Sequence, residues 1–310
     1  MVTEHASAPA ASAAAKPDQS SFVCYFQGGY VRLGEARIPI MTHAFLYGTA
    51  VFEGIRAYNK RIFKLDEHMD RIYDSAKIIM LEIPLTKDQF KKAIIEVCKA
   101  NGIVDGYIRP VVTRGSGSLG LAPWHCSNPG VFIIADSIKL YPDEYYENGL
   151  PMATVPTRRN LSEALSPMAK SLNYLNNIMA KIECRNAGVE EAIMMNQEGF
   201  VAECTGDNIF IFKKGVLLTP PIYAGALAGI TRDTVMTLAK KIGYSVMETN
   251  LTRADLYLAD EMFLTGTAAE VVPVISLDAR IIGDGKPGEK TKKLITEFKA
   301  YANSNGTPIE

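Results

Sequence analysis

Short apolar runs closed by glycine or polar turns alternate with stretches of helical apolar spacing along most of this chain. That alternation admits only a mixed fold of strands and helices. Strands are predicted over 22–25, 31–33, 55–58, 62–65, 107–112, 131–135, 191–195, 200–203, 209–212, 216–219 and 262–264. Asp66 is a candidate N-cap for a helix carrying Met69, Ile72, Ala76 and Ile79, and Pro84 stops its continuation. Thr86 opens a second helix with Phe90, Ile94, Val97 and Cys98 on one face and Gly102 just past its end. A third is predicted to begin near Ser166 and Pro167, with Leu172, Leu175, Met179 and Ile182 on one face and Gly188 as its stop. A fourth runs over 231–242 and ends at Gly243. The order of elements predicts an α+β or α/β protein without naming a fold.

The length of 310 residues predicts two domains at about 150 residues each. Pro142, a run of acids and tyrosines, and Gly149 mark a break. The expected division is a disordered tail over 1–20, a small N-terminal domain over 21–138, a linker over 139–150 and a larger domain over 151–310. With 33 basic and 34 acidic residues the formal charge is -1, so no global field draws the chain to nucleic acid or an anionic membrane surface. The long uncharged stretch 215–231 is broken by Pro220, Pro221 and glycines and does not read as a membrane span. Cys24, Cys98, Cys126, Cys184 and Cys204 are odd in number and scattered, which suits a reducing cytoplasm. The four histidines lack metal-ligand spacing, and no GxSxG, Walker A or GxGxxG pattern occurs, so metal, serine-hydrolase and nucleotide chemistry are disfavoured.

Lys170 is the only formal charge between Ala164 and Ala180. Such a lysine either snorkels to solvent at a helix end, the ordinary case, or stays poorly solvated and becomes a nucleophile able to form a Schiff base. Glu203 closes an apolar strand. It is either an exposed or ion-paired carboxylate or the partner of a pyridinium N–H. The small residues from Ala224 to Gly229 run into a helix beginning near Ile230 and Thr231. A second small, hydroxyl-bearing turn follows the strand at Leu264, through Thr265, Gly266, Thr267 and Ala268. Each could cradle an anion at exposed backbone N–H groups, or be an ordinary cap. Tyr107 and Arg109 share a strand face.

Taken in order, several motifs resemble those of the branched-chain amino-acid aminotransferases, pyridoxal-phosphate enzymes of fold type IV. They are Tyr47-Gly48-Thr49-Ala50-Val51-Phe52-Glu53-Gly54-Ile55-Arg56, His68-Met69-Asp70-Arg71, Tyr107-Ile108-Arg109-Pro110, Lys170 with Asn173-Tyr174-Leu175, Glu203, Gly229-Ile230-Thr231-Arg232 and Gly266-Thr267-Ala268-Ala269-Glu270. The resemblance implies a two-domain fold like that of D-amino-acid aminotransferase, with a small N-terminal α/β domain and a larger mixed one. It implies pyridoxal 5'-phosphate bound by Arg71, Lys170, Tyr174, Glu203, Leu227, Ile230, Thr231 and Thr267. Lys170 would form the internal aldimine and shuttle the substrate proton, and Glu203 would face the pyridine nitrogen. Tyr174, four residues beyond Lys170 on a helix, would reach the ring hydroxyl. Tyr107, Thr267 and Ala268 would take the substrate α-carboxylate, and Phe52 would wall the side chain. Tyr47 and Arg109 would meet the distal carboxylate of glutamate.

The activity implied is ping-pong transamination between Leu, Ile or Val and 2-oxoglutarate, with small-molecule partners and a homodimer or homohexamer. Ile138, Leu140 and Tyr141 stand where many bacterial relatives carry a tryptophan, and Pro123-Trp124-His125 is unusual, so the pocket wall departs from the pattern. A D-amino-acid aminotransferase, an amine transaminase and an aminodeoxychorismate lyase are the alternatives within the fold. The Arg-x-His trap of the first is absent, because Pro123 stands two before His125. A phosphate-binding or assembly module without catalysis is the alternative outside enzymes.

Overall fold

A computed structural model describes residues 19–138 and 140–310; the expected tail lies outside the described residues up to residue 18, and Gln19–Ser21 forms a single 3-10 turn. Two sheets organise the chain. The first is antiparallel throughout, in the spatial order Thr307–Pro308, Arg61–Ile62, Ile55–Tyr58, Gly106–Thr113, Gly130–Asp136, Val23–Phe26 and Gly29–Arg32. Ala50–Phe52 pairs with the far end of Gly106–Thr113.

The second sheet mixes parallel and antiparallel pairs, in the order Val201–Cys204, Glu191–Met195, Leu150–Thr154, Glu270–Leu277, Glu261–Gly266, Asn208–Lys213, Val216–Thr219 and Ser245–Glu248, with Arg280–Ile281 beside Glu270–Leu277. Glu191–Met195 and Val201–Cys204 are buried at every position, as strands covered on both faces must be.

Helices Leu65–Ile78 and Lys87–Ala100 close one core against the first sheet. Met69, Ile72 and Ala76 from one, and Phe90, Ile94, Val97 and Cys98 from the other, meet Ile55, Ile108 and Val131. A second core joins the halves, because Tyr58 and Phe63 pack with Phe210, Phe212 and Phe263, under helices Ile230–Lys241 and Glu289–Ser304. The chain end then returns to the first sheet as Thr307–Pro308, so residues 151–310 do not stay with the second sheet.

Three expectations need correction. The first long helix is entered through Lys64 in the left-handed conformation and begins at Leu65; Asp66 belongs to its first turn, and the strand expected over 62–65 is Arg61–Ile62. The third helix is Leu175–Asn186, eight or nine residues later than the proline suggested. Residues 170–172 are extended instead, because the Phe52 amide donates to the Lys170 carbonyl (3.0 Å) and the Leu172 amide to the Ala50 carbonyl (2.9 Å). The apolar face expected on that helix is exposed in the single chain: Leu175, Met179 and Ile182, with Ile178, face out, while Asn177, Ala180 and Cys184 are buried. Strands Ser245–Glu248 and Glu270–Leu277, helix Glu289–Ser304, and helix Asp143–Asn148 inside the expected linker were not read from the sequence.

Among the described residues the five cysteines are free and no helix is long and apolar enough to cross a membrane. Thr86 forms a full capping box: its side chain accepts from the Gln89 amide at 3.2 Å, and the Gln89 side chain accepts from the Thr86 amide at 2.8 Å. Replacing Thr86 by Ala is expected to destabilise the protein by about 1 kcal/mol in urea unfolding. An unchanged midpoint would show that the cap contributes nothing.

Candidate active site

Lys170 reaches the site because its backbone is locked to the first sheet. Its carbonyl accepts from Phe52, its amide donates to the buried Ser75 Oγ at 3.1 Å, and Val51 and Ser171 form a bridge. The side chain is half-buried. Nζ donates to the Tyr174 hydroxyl at 2.9 Å and stands 4.4 Å from the Phe52 ring centroid. Among the described residues it has no carboxylate partner. The Lys170–Tyr174 contact is the one anticipated, but its cause differs: Lys170 sits on an extended segment, and Tyr174 is the residue preceding helix Leu175–Asn186.

Arg71 comes from the middle of helix Leu65–Ile78 and is held by Glu53, which has no solvent exposure at all. Arg71 Nε and Nη2 donate to the two Glu53 oxygens at 2.6 and 2.7 Å, and His68 Nδ1 donates to Oε2 at 2.8 Å. Burial alone would raise the Glu53 carboxyl; the Arg71 and His68 groups beside it overturn that and hold it well below the usual carboxylate range. Burial lowers His68 despite Glu53, so near neutral pH the imidazole is an uncharged donor. Arg71 Nη1 also donates to the Ala228 carbonyl at 2.8 Å, which ties the guanidinium to the loop before helix Ile230–Lys241.

That helix starts at Gly229 with no side-chain cap, so the N–H groups of Ile230 and Thr231 have no acceptor within it. A Cβ at residue 229 would come within 2.0 Å of Asn208 Oδ1, so only glycine admits this close approach. Glu203, on strand Val201–Cys204, is buried and accepts from Arg159 Nε at 2.7 Å and from the Leu227 amide at 2.9 Å. Arg159 in turn donates to Asn176 and Asn177 Oδ1, each at 3.2 Å. The ion-paired alternative for Glu203 is therefore realised, with both contacts orienting a carboxylate that lines the cavity.

One cavity of about 450 Å³ gathers Phe52, Arg71, Tyr107, Arg109, Lys170, Tyr174, Glu203, Leu227, Ile230, Thr231, Thr267 and Ala268. Tyr47 is the exception. It lies at the end of helix His43–Tyr47 and donates to the Leu119 carbonyl, outside that lining. Tyr107 and Arg109 share one face of strand Gly106–Thr113, and Arg109 Nη2 donates to the Tyr107 hydroxyl at 2.9 Å. The Tyr107 hydroxyl seats where a Cβ on Gly54 would come within 2.0 Å of it. The Arg109 guanidinium lies 4.7 Å from the Phe52 ring centroid and has no carboxylate partner among the described residues. The buried Thr265 Oγ1, also lining the cavity, has no hydrogen-bond partner among the described residues.

Sequence reasoning missed Arg159, whose partner Glu203 is 44 positions away, and the role of Glu53 behind Arg71. The second was findable: Glu53 is a lone charge in the apolar run 50–55, the same signal that singled out Lys170. Replacing Glu53 by Gln should cost about 3 kcal/mol of stability near neutral pH, because it strands a buried cation. Since the folded carboxyl lies below its ordinary value of 4.5, that contribution is present above about pH 4.5 and vanishes as pH falls through the folded value. Urea unfolding across pH should show wild type and variant converging in acid; a constant gap would contradict this account.

The amino-transferase class IV family model matches residues 50–277. A Methanocaldococcus jannaschii protein, provisionally named a branched-chain-amino-acid aminotransferase, is 50% identical over 92% of this chain and 98% of its own length. The crystal structure of the Escherichia coli branched-chain amino acid aminotransferase superposes with a TM-score of 0.91 at 35% identity, covering 94% of this chain and all of that one. A T.th. branched-chain amino acid aminotransferase complexed with N-(5'-phosphopyridoxyl)-L-glutamate superposes with a TM-score of 0.86 at 37% identity, covering 92% of this chain and 95% of that one. With the matched segment spanning every cavity residue from Phe52 to Ala268, this chain belongs to the class IV aminotransferases and has the fold of type IV.

Proposed function

We propose that this chain is a pyridoxal-5'-phosphate-dependent transaminase that moves amino groups between branched-chain L-amino acids and 2-oxoglutarate, with one cavity serving both half-reactions in turn. The observation that carries the reading is Lys170. It is an amine without a carboxylate partner among the described residues, in one cavity with the oriented carboxylate Glu203 and an uncapped helix N-terminus. The relatives described above support the substrate class, and the phosphopyridoxyl-glutamate adduct of one of them supports both cofactor and second substrate.

The residues present fit this cofactor. An orphaned Thr265 hydroxyl, free N–H groups at Ile230 and Thr231, and an Arg71 guanidinium already balanced by Glu53 form a donor set suited to a phosphate. Arg71, Ile230, Thr231 and Thr267 would hold the phosphate, Tyr174 the ring hydroxyl, Glu203 the ring nitrogen and Lys170 the aldehyde carbon, with Leu227 lining the ring. Once bound, the cofactor supplies an electron-withdrawing pyridinium ring for the charge left on the substrate Cα.

The chain's own groups do the rest. Lys170 Nζ, steered by the Tyr174 hydroxyl, moves the proton at the substrate Cα. Glu203, oriented by Arg159 and the Leu227 amide, holds a proton at the nitrogen facing it. The Tyr107 hydroxyl and the amides of Thr267 and Ala268 take the α-carboxylate, and Phe52 excludes water from the side chain. Arg109 allows the dual use. Against Leu, Ile or Val it rests on the Phe52 ring and the Tyr107 hydroxyl; against glutamate it pairs with the distal carboxylate.

Tyr47 serves the pocket of a second copy in this reading. Its helix and the loop it is tied to expose Phe45, Leu119, Leu121 and Trp124, and helix Leu175–Asn186 exposes a second apolar face, more than a monomer ordinarily leaves open. The chain is proposed to be a homodimer or homohexamer acting in the cytoplasm, and a monomeric mass in sedimentation would reject the assembly.

Borohydride reduction of the cofactor-loaded protein followed by peptide mapping should place the adduct on Lys170. An adduct on Lys181, the second lysine lining the cavity, or none at all, would overturn the mechanism. Lys170→Ala should abolish turnover. Arg109→Met should raise KM for 2-oxoglutarate by about 10-fold to 100-fold while moving that for L-leucine far less. Preference for D-alanine or 1-phenylethylamine over L-leucine would overturn the substrate assignment.

A further inference from the structure

Two carboxyl groups that play no part in the proposed chemistry line the same cavity. Glu191 is 2% and Asp207 6% exposed. The Tyr141 hydroxyl lies 3.2 Å from Glu191 Oε2 and 3.2 Å from Asp207 Oδ2. A phenol has one proton to donate. Were both acids ionised, one of these two contacts would set lone pair against lone pair in a buried site. One carboxyl therefore keeps a proton and donates it to the phenol oxygen.

The remaining contacts decide which. Glu191 Oε1 accepts from the amides of Ala192 (2.9 Å) and Thr205 (2.7 Å), and Oε2 accepts from the Lys181 ammonium at 3.2 Å, all of which favour an anion. Asp207 has no comparable donor among the described residues. Burial, then the Glu191 charge, push its carboxyl up to about 7, with Glu203 adding to the rise and Lys181 opposing it. Tyr141 would favour an ionised Asp207 only by withdrawing its proton from Glu191. Tyr141 and the Cys204 thiol are themselves pushed up, largely by burial, and Tyr146, near enough to feel the Asp207 charge, is raised to about 12, so all three stay protonated near neutral pH.

Asp207 also abuts the proposed carboxylate cradle. A Cβ on Gly266 would come within 1.8 Å of Asp207 Oδ1, so the carboxyl packs directly against the 266–268 turn. We propose that Asp207 is a positioning residue, an uncharged carboxyl that pins Tyr141 and backs the 266–268 turn, and that its ionisation weakens the binding of the substrate carboxylate there. The assignment of that turn to the substrate rests on the function proposed above. Ionised Asp207 would place a second negative charge beside the bound carboxylate and turn the Tyr141 contact repulsive.

Infrared titration of the full chain should show the carbonyl stretch of an un-ionised carboxyl group at about pH 6 that Asp207→Asn removes. In Glu191→Gln the same band should titrate at lower pH, because the neighbouring charge is gone. Binding of 4-methylpentanoate, a leucine-shaped carboxylate with no amine, is then measured by calorimetry on cofactor-saturated protein. Its Kd should rise about ten-fold from about pH 6 to about pH 8.5 in wild type and by less than about two-fold in Asp207→Asn, whose cofactor titrates in the same way. A missing band in wild type, or a variant whose Kd follows the wild-type profile, overturns the proposal. Should Asp207→Asn fail to fold, the wild-type band and its downward move in Glu191→Gln decide the matter. Leucine turnover run alongside separates the two readings. Turnover with no band rejects the role of Asp207 alone, whereas a band without turnover supports the proton on Asp207 and rejects the transaminase.

Discussion

Two backbone hydrogen bonds, from Phe52 to the Lys170 carbonyl and from Leu172 to the Ala50 carbonyl, place an amine from the second half of the chain on the edge of the first sheet. Everything else in the cavity is arranged around that junction. Ala50–Phe52 is held by Gly106–Thr113, which also presents Tyr107 and Arg109, and Glu53 follows directly to fix Arg71. A shift of one residue along the strand would turn Phe52 and Lys170 away from each other together, since strand side chains alternate faces.

Buried charge in this site follows one rule, that every acid is given donors before it is given solvent. Glu53 has Arg71 and His68, Glu203 has Arg159 and the Leu227 amide, and Glu191 has two amides and Lys181. Asp207 is the exception, and a retained proton resolves it. Among the cations, Arg109 and Lys170 stand out as having aromatic rings and a hydroxyl where a carboxylate would ordinarily be. Cations left with weak partners in a cavity are poised for anionic or carbonyl-bearing ligands.

Much of the local structure was legible because it follows from local chemistry. The helix opened by Thr86, helix 231–242 with Gly243 beyond it, and strands 191–195 and 216–219 appear where turn residues and apolar spacing put them. The helix expected from Ser166 failed for a reason no window of sequence contains: backbone groups at 170 and 172 are used by a strand more than a hundred residues earlier. The apolar face of Leu175–Asn186 is open in the single chain, because periodicity reports that a face is apolar without saying what covers it.

The sequence alone determined the mixture of strands and helices, the candidate chemistry of Lys170, Glu203 and Arg71, and the family likeness, since these depend on residue type and order along the chain. Only the tertiary structure decided that Lys170 is extended, that Arg159 and Glu53 hold the groups that meet the cavity, that Tyr47 lies outside it, and that Tyr141 bridges two acids. Those facts are distances between residues far apart in the chain. Packing sets such distances, and neither propensity nor spacing encodes them.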